Sequence, residues 1–182
     1  KETSKGAEEI VLTQIKQNFI TPANAIFDYV DMVEKVLNEA ELQSDDEIDQ
    51  IKSSCSKLID QYEVAFVQNT GANADSSKKS PEEYSELRHN LRTPLNAIIG
   101  YSEILMEDYE DDLEESTLED FQQIINLARE TETAIENFVD YIRGEALDPN
   151  NDNSSNQLES AEALFKSLGD IEYSITLNDE IK

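Results

Sequence analysis

The stretch Leu87-Arg88-His89-Asn90-Leu91-Arg92-Thr93-Pro94-Leu95-Asn96-Ala97-Ile98-Ile99-Gly100-Tyr101 decides how this chain is read. Its pattern also occurs earlier, at Ile15-Lys16-Gln17-Asn18-Phe19-Ile20-Thr21-Pro22-Ala23-Asn24-Ala25-Ile26-Phe27-Asp28-Tyr29. Asn18, Thr21, Pro22, Asn24, Ala25, Ile26 and Tyr29 each find the same residue 72 positions later. Gln17 stands where the second copy has His89, the only histidine of the chain. An internal repeat must be settled first, because it sets the architecture. The repeat predicts a duplicated helical hairpin in which one copy keeps a reactive-type side chain and the other has lost it.

Apolar residues step by three and four along both copies. The first carries Leu12, Ile15, Phe19, Ala23, Ile26, Val30, Val33 and Leu37. The second carries Tyr84, Leu87, Leu91, Leu95, Ile98, Ser102 and Leu105. That spacing puts one stripe on one face of a helix. Acidic turns follow, over 39–47 and 108–117. Ser44 and Thr117 are the expected N-caps after them, with Glu47 and Asp120 three residues on. Partner helices come next, on Ile48, Ile51, Cys55, Leu58, Tyr62 and Phe66, and on Phe121, Ile124, Ala128, Ile135, Phe138 and Ile142. Ser80 before Pro81 reads as an N-cap with proline in the first turn.

A hairpin with a single stripe on each helix leaves half of it wet, so each hairpin needs the other. The expected fold is all-α. It is an antiparallel four-helix bundle built from two tandem hairpins, 7–67 and 81–145, joined by a polar linker over 68–80. A polar stretch and a short extension follow over 146–182, with a helix expected at 158–168 and extended chain at 171–177. The start at Lys1 leads us to expect a piece of a longer protein.

Pro22 and Pro94 fall inside the helical patterns. Each lacks the N–H that would bond the carbonyl four residues back, on Asn18 and Asn90. A helix start at each proline, with Thr21 or Thr93 as cap, is the alternative to a kinked continuous helix. The stripe runs through both prolines in phase and favours continuity. His89 lies about 200° around a helix from the inward-facing Leu87 and Leu91, so it is expected to face solvent.

Composition narrows the function classes. Acidic residues number 41 against 14 basic, for a net charge of −27. Nucleic acid is disfavoured, since phosphate binding needs clustered Lys and Arg. An anionic membrane surface is disfavoured equally. A partner with a basic face is favoured. No run approaches the length of apolar sequence that spans a bilayer. Cys55 is alone, which excludes an internal disulfide and fits a reducing, cytoplasmic setting. The acidic groups at Asp45-Asp46-Glu47 and Asp108 to Asp112 lack the spacing of a calcium loop, so no metal site is expected.

The run from His89 to Tyr101 resembles the H-box of sensor histidine kinases. Tyr84 to Ile142 as a whole is similar to their dimerisation and histidine-phosphotransfer (DHp, HisKA-like) domain, and the first hairpin resembles it more weakly. The resemblance implies that His89 is the phosphoacceptor. It implies that Arg92 faces the phosphoryl group or a partner, that Thr93 positions a dephosphorylating water, and that Pro94 bends the helix around the reactive ring. Gln17, Asn18, Thr21 and Pro22 then form a degenerate site. The family usually has an acidic residue directly after the histidine, and Asn90 stands there instead. Its amide can accept a hydrogen bond from the ring but supplies no charge to a developing imidazolium.

The five glycines form no G-x-G. The stretch after Gly144 is short for a nucleotide-binding domain, so no cofactor and no autonomous kinase activity are expected. Two functions remain open. One is a histidine-phosphotransfer module that exchanges a phosphoryl group with a response-regulator receiver domain, in cis or trans, with Mg²⁺ brought by the receiver. The other is a catalytically inactive dimerisation or scaffold element. The bundle is expected as a monomer whose two hairpins mimic the two subunits of a DHp dimer.

Overall fold

In a computed structural model, residues 2–70 and 79–144 are described. They form four helices: α1 (Glu2–Glu39), α2 (Asp45–Asn69), α3 (Pro81–Asp108) and α4 (Glu115–Arg143). No strand occurs among the described residues. The expected helix at 158–168 and extended run at 171–177 lie outside them. Lys1–Arg143 is one compact unit.

The four helices pack as a bundle. α1 lies against α2 and α4, and α3 lies against α2 and α4. Each hairpin therefore closes the apolar side of the other, as a one-stripe helix requires. Phe19, Ala23, Ile26, Val30, Val33 and Leu37 of α1 are buried, as are Leu91, Leu95, Ile98 and Leu105 of α3. Ser102 interrupts the stripe of α3 but donates its hydroxyl to the Ile98 carbonyl at 2.7 Å, so its burial leaves no open donor.

The second helices repeat at a different offset. Ile48, Ile51, Cys55, Leu58, Tyr62 and Ala65 of α2 are matched in burial by Phe121, Ile124, Ala128, Thr131, Ile135 and Phe138 of α4, each 73 residues on. One extra residue in the second turn accounts for the change from 72.

Both prolines lie inside helices that continue through them. Pro22 and Pro94 are themselves buried. The continuous-helix reading therefore holds at both. The helix start falls instead at Ser80, where two sequence-local bonds close a capping box. The Ser80 hydroxyl accepts from the Glu83 N–H at 3.3 Å, and the Glu83 carboxylate accepts from the Ser80 N–H at 2.7 Å.

The other two caps depart from expectation. Ser44 precedes α2 but makes no side-chain cap bond. Thr117 is not a cap. α4 begins at Glu115, and the N–H of Leu118 already bonds the Glu114 carbonyl at 3.2 Å. Thr117 is buried in that first turn, so its side chain serves packing. α1 ends with Glu41 in the left-handed region at φ 58°, a position that favours glycine. The N–H of Leu42 reaches back to the Leu37 carbonyl at 3.0 Å and that of Glu41 to Asn38 at 3.1 Å, which closes the helix end. At the same end of the bundle, the Tyr109 hydroxyl donates to the Gln43 carbonyl and ties the two turns together.

Cys55 is buried and unpaired. Burial pushes its thiol up to about 12, because the interior penalises the thiolate. A thiol-reactive disulfide reagent at pH 8 is expected to leave Cys55 unmodified in the folded chain and to react stoichiometrically after denaturation. Rapid reaction of the native protein would contradict this placement.

A candidate phosphoacceptor hairpin

His89 lies in the third turn of α3, on its exposed side. The neighbouring Leu91 is fully buried, and the helix geometry turns the imidazole away from it. Among the described residues no hydrogen bond or ion pair engages the ring. Its nitrogens are thus open to an incoming group. Asn90 and Thr93 are exposed beside it, and Pro94 is buried beneath. The Thr93 hydroxyl donates to the His89 carbonyl at 2.9 Å, within the helix turn that Pro94 interrupts. Its oxygen keeps acceptor capacity toward solvent.

Arg92 does not stand free beside His89. Its Nε is 3.1 Å from Glu132 and its Nη2 is 3.0 Å from Glu136, both on α4. Arg88, one turn earlier, sits 2.7 Å from the second oxygen of Glu136 and 3.5 Å from Asp140. Two guanidinium groups and three carboxylates thus line the α3–α4 seam at the level of the histidine. The two Nε atoms and Glu136 Oε1 are buried without an aligned hydrogen bond. These are close charge contacts rather than well-formed hydrogen bonds.

The sequence reading missed Glu132, Glu136 and Asp140. The signal was present: carboxylates recur every four residues along one flank of α4, opposite Arg88 and Arg92, also four apart. Hydrophobic periodicity could not say that these two flanks meet.

The degenerate site is differently furnished. Gln17, Asn18 and Thr21 are exposed, and Pro22 is buried. The Asn18 amide oxygen accepts from Gln14 at 2.6 Å. Lys16 reaches Glu63 at only 4.0 Å. At the level below the histidine the hairpins differ again. Lys52 of α2 bridges Asp31 at 2.9 Å and Glu34 at 2.7 Å. The bonds to the two carboxylates hold its ammonium above the usual lysine range. At the equivalent place in the second hairpin stand Glu103, Met106 and Ile125, and they line an open groove of about 330 Å³ together with Glu107, Leu118 and Arg129.

Residues 82–147 match the family model for the His Kinase A (phospho-acceptor) domain. The second hairpin is a HisKA domain. No curated protein and no solved structure matches the chain. The HisKA match begins within the first turn of α3, spans α4 and includes His89, while the first hairpin lies outside it. The chain therefore carries a phosphoacceptor and dimerisation module of two-component signalling, built into a bundle with a second, histidine-free hairpin. Among the described residues no helix is long and apolar enough to cross a membrane. No cluster of three or more His, Cys, Asp or Glu side chains among them could hold a metal ion.

Proposed function

We propose that this chain is a one-site histidine-phosphotransfer module, with His89 as the phosphoacceptor and a response-regulator receiver domain as its exchange partner in cis or trans. The observation that carries this reading is the open His89 ring on the HisKA hairpin, beside two arginines that are engaged with α4. A ring nitrogen lone pair attacks phosphorus of the receiver's aspartyl phosphate. The P–O bond breaks, the receiver carboxylate leaves, and the ring N–H proton passes to solvent. The receiver brings Mg²⁺ to its own carboxylates. Thr93 and Pro94 are the groups that would position water and shape the helix around the ring.

The groove below His89 supports docking on α3 and α4. The first hairpin fills the equivalent place with the Lys52 ion pairs. We read the molecule as a monomer, because each hairpin's apolar stripe is already covered by the other within one chain, and as cytoplasmic, because its lone Cys55 suits a reducing compartment. A scaffold role is favoured by one observation. Asn90 cannot supply the charge that an acidic residue would lend to an imidazolium.

Incubation with a phosphorylated receiver domain is expected to place one acid-labile phosphoryl group per chain, mapped to His89 by mass spectrometry. ATP and Mg²⁺ alone are expected to place none. If neither receivers nor a chemical phosphoryl donor ever label His89, the scaffold reading replaces this one.

A further inference from the structure

The ion pairs on the α3–α4 seam lie at the level of the phosphoacceptor, and the first hairpin builds its half of the bundle without the Arg92–Glu132 pair. The internal repeat shows this directly. Arg92 corresponds to Ile20 at an offset of 72, and Glu132 corresponds to Ile59 at an offset of 73. Ile20 and Ile59 are both partly buried and packed against the core. So in the hairpin where Gln17 replaces the histidine, both members of the Arg92–Glu132 pair have become isoleucine. Lys16 and Glu63 stand for Arg88 and Glu136 and keep only a loose contact at 4.0 Å. A purely structural pair would not be tied to the histidine in this way, since two apolar side chains packed on the core stand at the equivalent positions of the same fold.

We propose that Arg92 is an exchangeable counter-ion of the phosphoryl group on His89, and that Glu132 and Glu136 are positioning residues that hold it on α4 while His89 is unmodified. The inference rests on the phosphoacceptor reading above. His89 and Arg92 are three residues apart on one helix, so their side chains are surface neighbours. Arg92 can leave α4 at small cost. Its side chain and that of Glu132 are 42% and 40% exposed, and such pairs are worth little in water. The contacts it gives up are poorly aligned, with its Nε and Glu136 Oε1 lacking hydrogen bonds. Glu136 is not orphaned by the exchange, because Arg88 stays at 2.7 Å from its other oxygen. A phosphoryl dianion offers Arg92 aligned charge-assisted bonds in place of unaligned contacts at 3.1 and 3.0 Å. Phosphorylation thereby draws one cation off the seam and leaves Glu132 to solvent.

The test uses the whole chain phosphorylated with phosphoramidate, which requires no receiver. The His89 ring nitrogen attacks phosphorus, the P–N bond breaks, the protonated amine departs as ammonia, and the ring proton goes to solvent. The phosphoryl group is then titrated by ³¹P NMR in the wild type and in Arg92→Gln, Arg92→Lys, Glu132→Gln and Glu136→Gln. A neighbouring guanidinium favours the dianion. The midpoint is expected about half a unit higher in Arg92→Gln, roughly threefold in proton affinity, and largely restored in Arg92→Lys. It is expected lower than wild type in Glu132→Gln and Glu136→Gln, where Arg92 is released. The Arg92 Nε resonance is expected to move on phosphorylation. A clamp that only fastens α3 to α4 still shifts the midpoints through space, but it leaves the Arg92 Nε resonance where it was on phosphorylation of the wild type, and that resonance decides between the two. If His89 is labelled but the Arg92 Nε resonance does not move, or the midpoints coincide across the variants, this inference is overturned and the phosphoacceptor reading stands. If His89 takes no label from phosphoramidate or from any receiver, both fall.

Discussion

Phe19→Asp is expected to leave the chain without a cooperative thermal transition. Phe19 is fully buried and stacks on Tyr62, with ring centroids 3.5 Å apart and planes 5° from parallel. Tyr62 in turn meets Phe138 of α4 at 5.0 Å, and Phe66 meets Phe138 at 5.8 Å. Three rings from the first hairpin and one from the second thus form a single cluster across the hairpin boundary. Truncating a buried phenylalanine costs about 3–5 kcal/mol. Placing a carboxylate there adds several more, since the site is fully buried and the nearest cation, Lys16, lies at the outer edge of the cluster, 5.7 Å from the Phe66 ring centre. A domain of this size is stable by only about 5–15 kcal/mol, so the sum removes most or all of it. Circular dichroism at 222 nm against temperature checks the outcome. A midpoint equal to wild type would place Phe19 outside the core.

His89→Gln is expected to abolish phosphoryl labelling completely while leaving the thermal midpoint where it was. The ring is exposed and no described group bonds to it, so its removal breaks no packing. Substitutions of that kind lie within about 0.5 kcal/mol. The chain supplies its own control, because Gln17 occupies the equivalent exposed place in the first hairpin of the same fold. A labelled His89→Gln chain would mean that another side chain accepts the phosphoryl group. A large drop in midpoint would mean that the imidazole has a packing role.

The pairing of the two hairpins also has a size logic. Phe19, Tyr62 and Phe66 are bulky where the second hairpin has Leu91, Ile135 and Val139, whereas Phe138 is bulky where the first has Ala65. The one ring that the second hairpin adds, Phe138, packs on Tyr62 and Phe66 of the first. Two copies of the first hairpin would crowd three rings against three, and two copies of the second would leave space around Leu91 and Ile135. Interiors tolerate neither overpacking nor voids well.

Much of the molecule was legible in local spacing. The stripes through Phe19 and Leu91 located α1 and α3, because a three-and-four step is a property of one helix alone. The outward direction of His89 followed from the same geometry. So did continuity through Pro22 and Pro94, since a break would have thrown the stripe out of phase. Ser80 and Glu83 declared a helix start because a capping box closes within four residues. Thr117 looked equally good and was not a cap, since the α4 turn closes on Glu114 and packing claims the threonine. Glu41 carried no sign of its left-handed conformation, which the chain adopts to close the Schellman-type end of α1.

The sequence by itself determined the four helices, their inward faces and the exposed histidine, because those depend on contacts within one or two turns. Only the tertiary structure decided that Arg88 and Arg92 meet Glu132, Glu136 and Asp140, that Phe138 joins the aromatic cluster of the other hairpin, and that Lys52 fills on one side the groove left open on the other. Those contacts join residues more than ten positions apart. Periodicity says which face of a helix is buried. It does not say which flank of which neighbour that face will meet, and charge and ring size settle that only once the helices are packed.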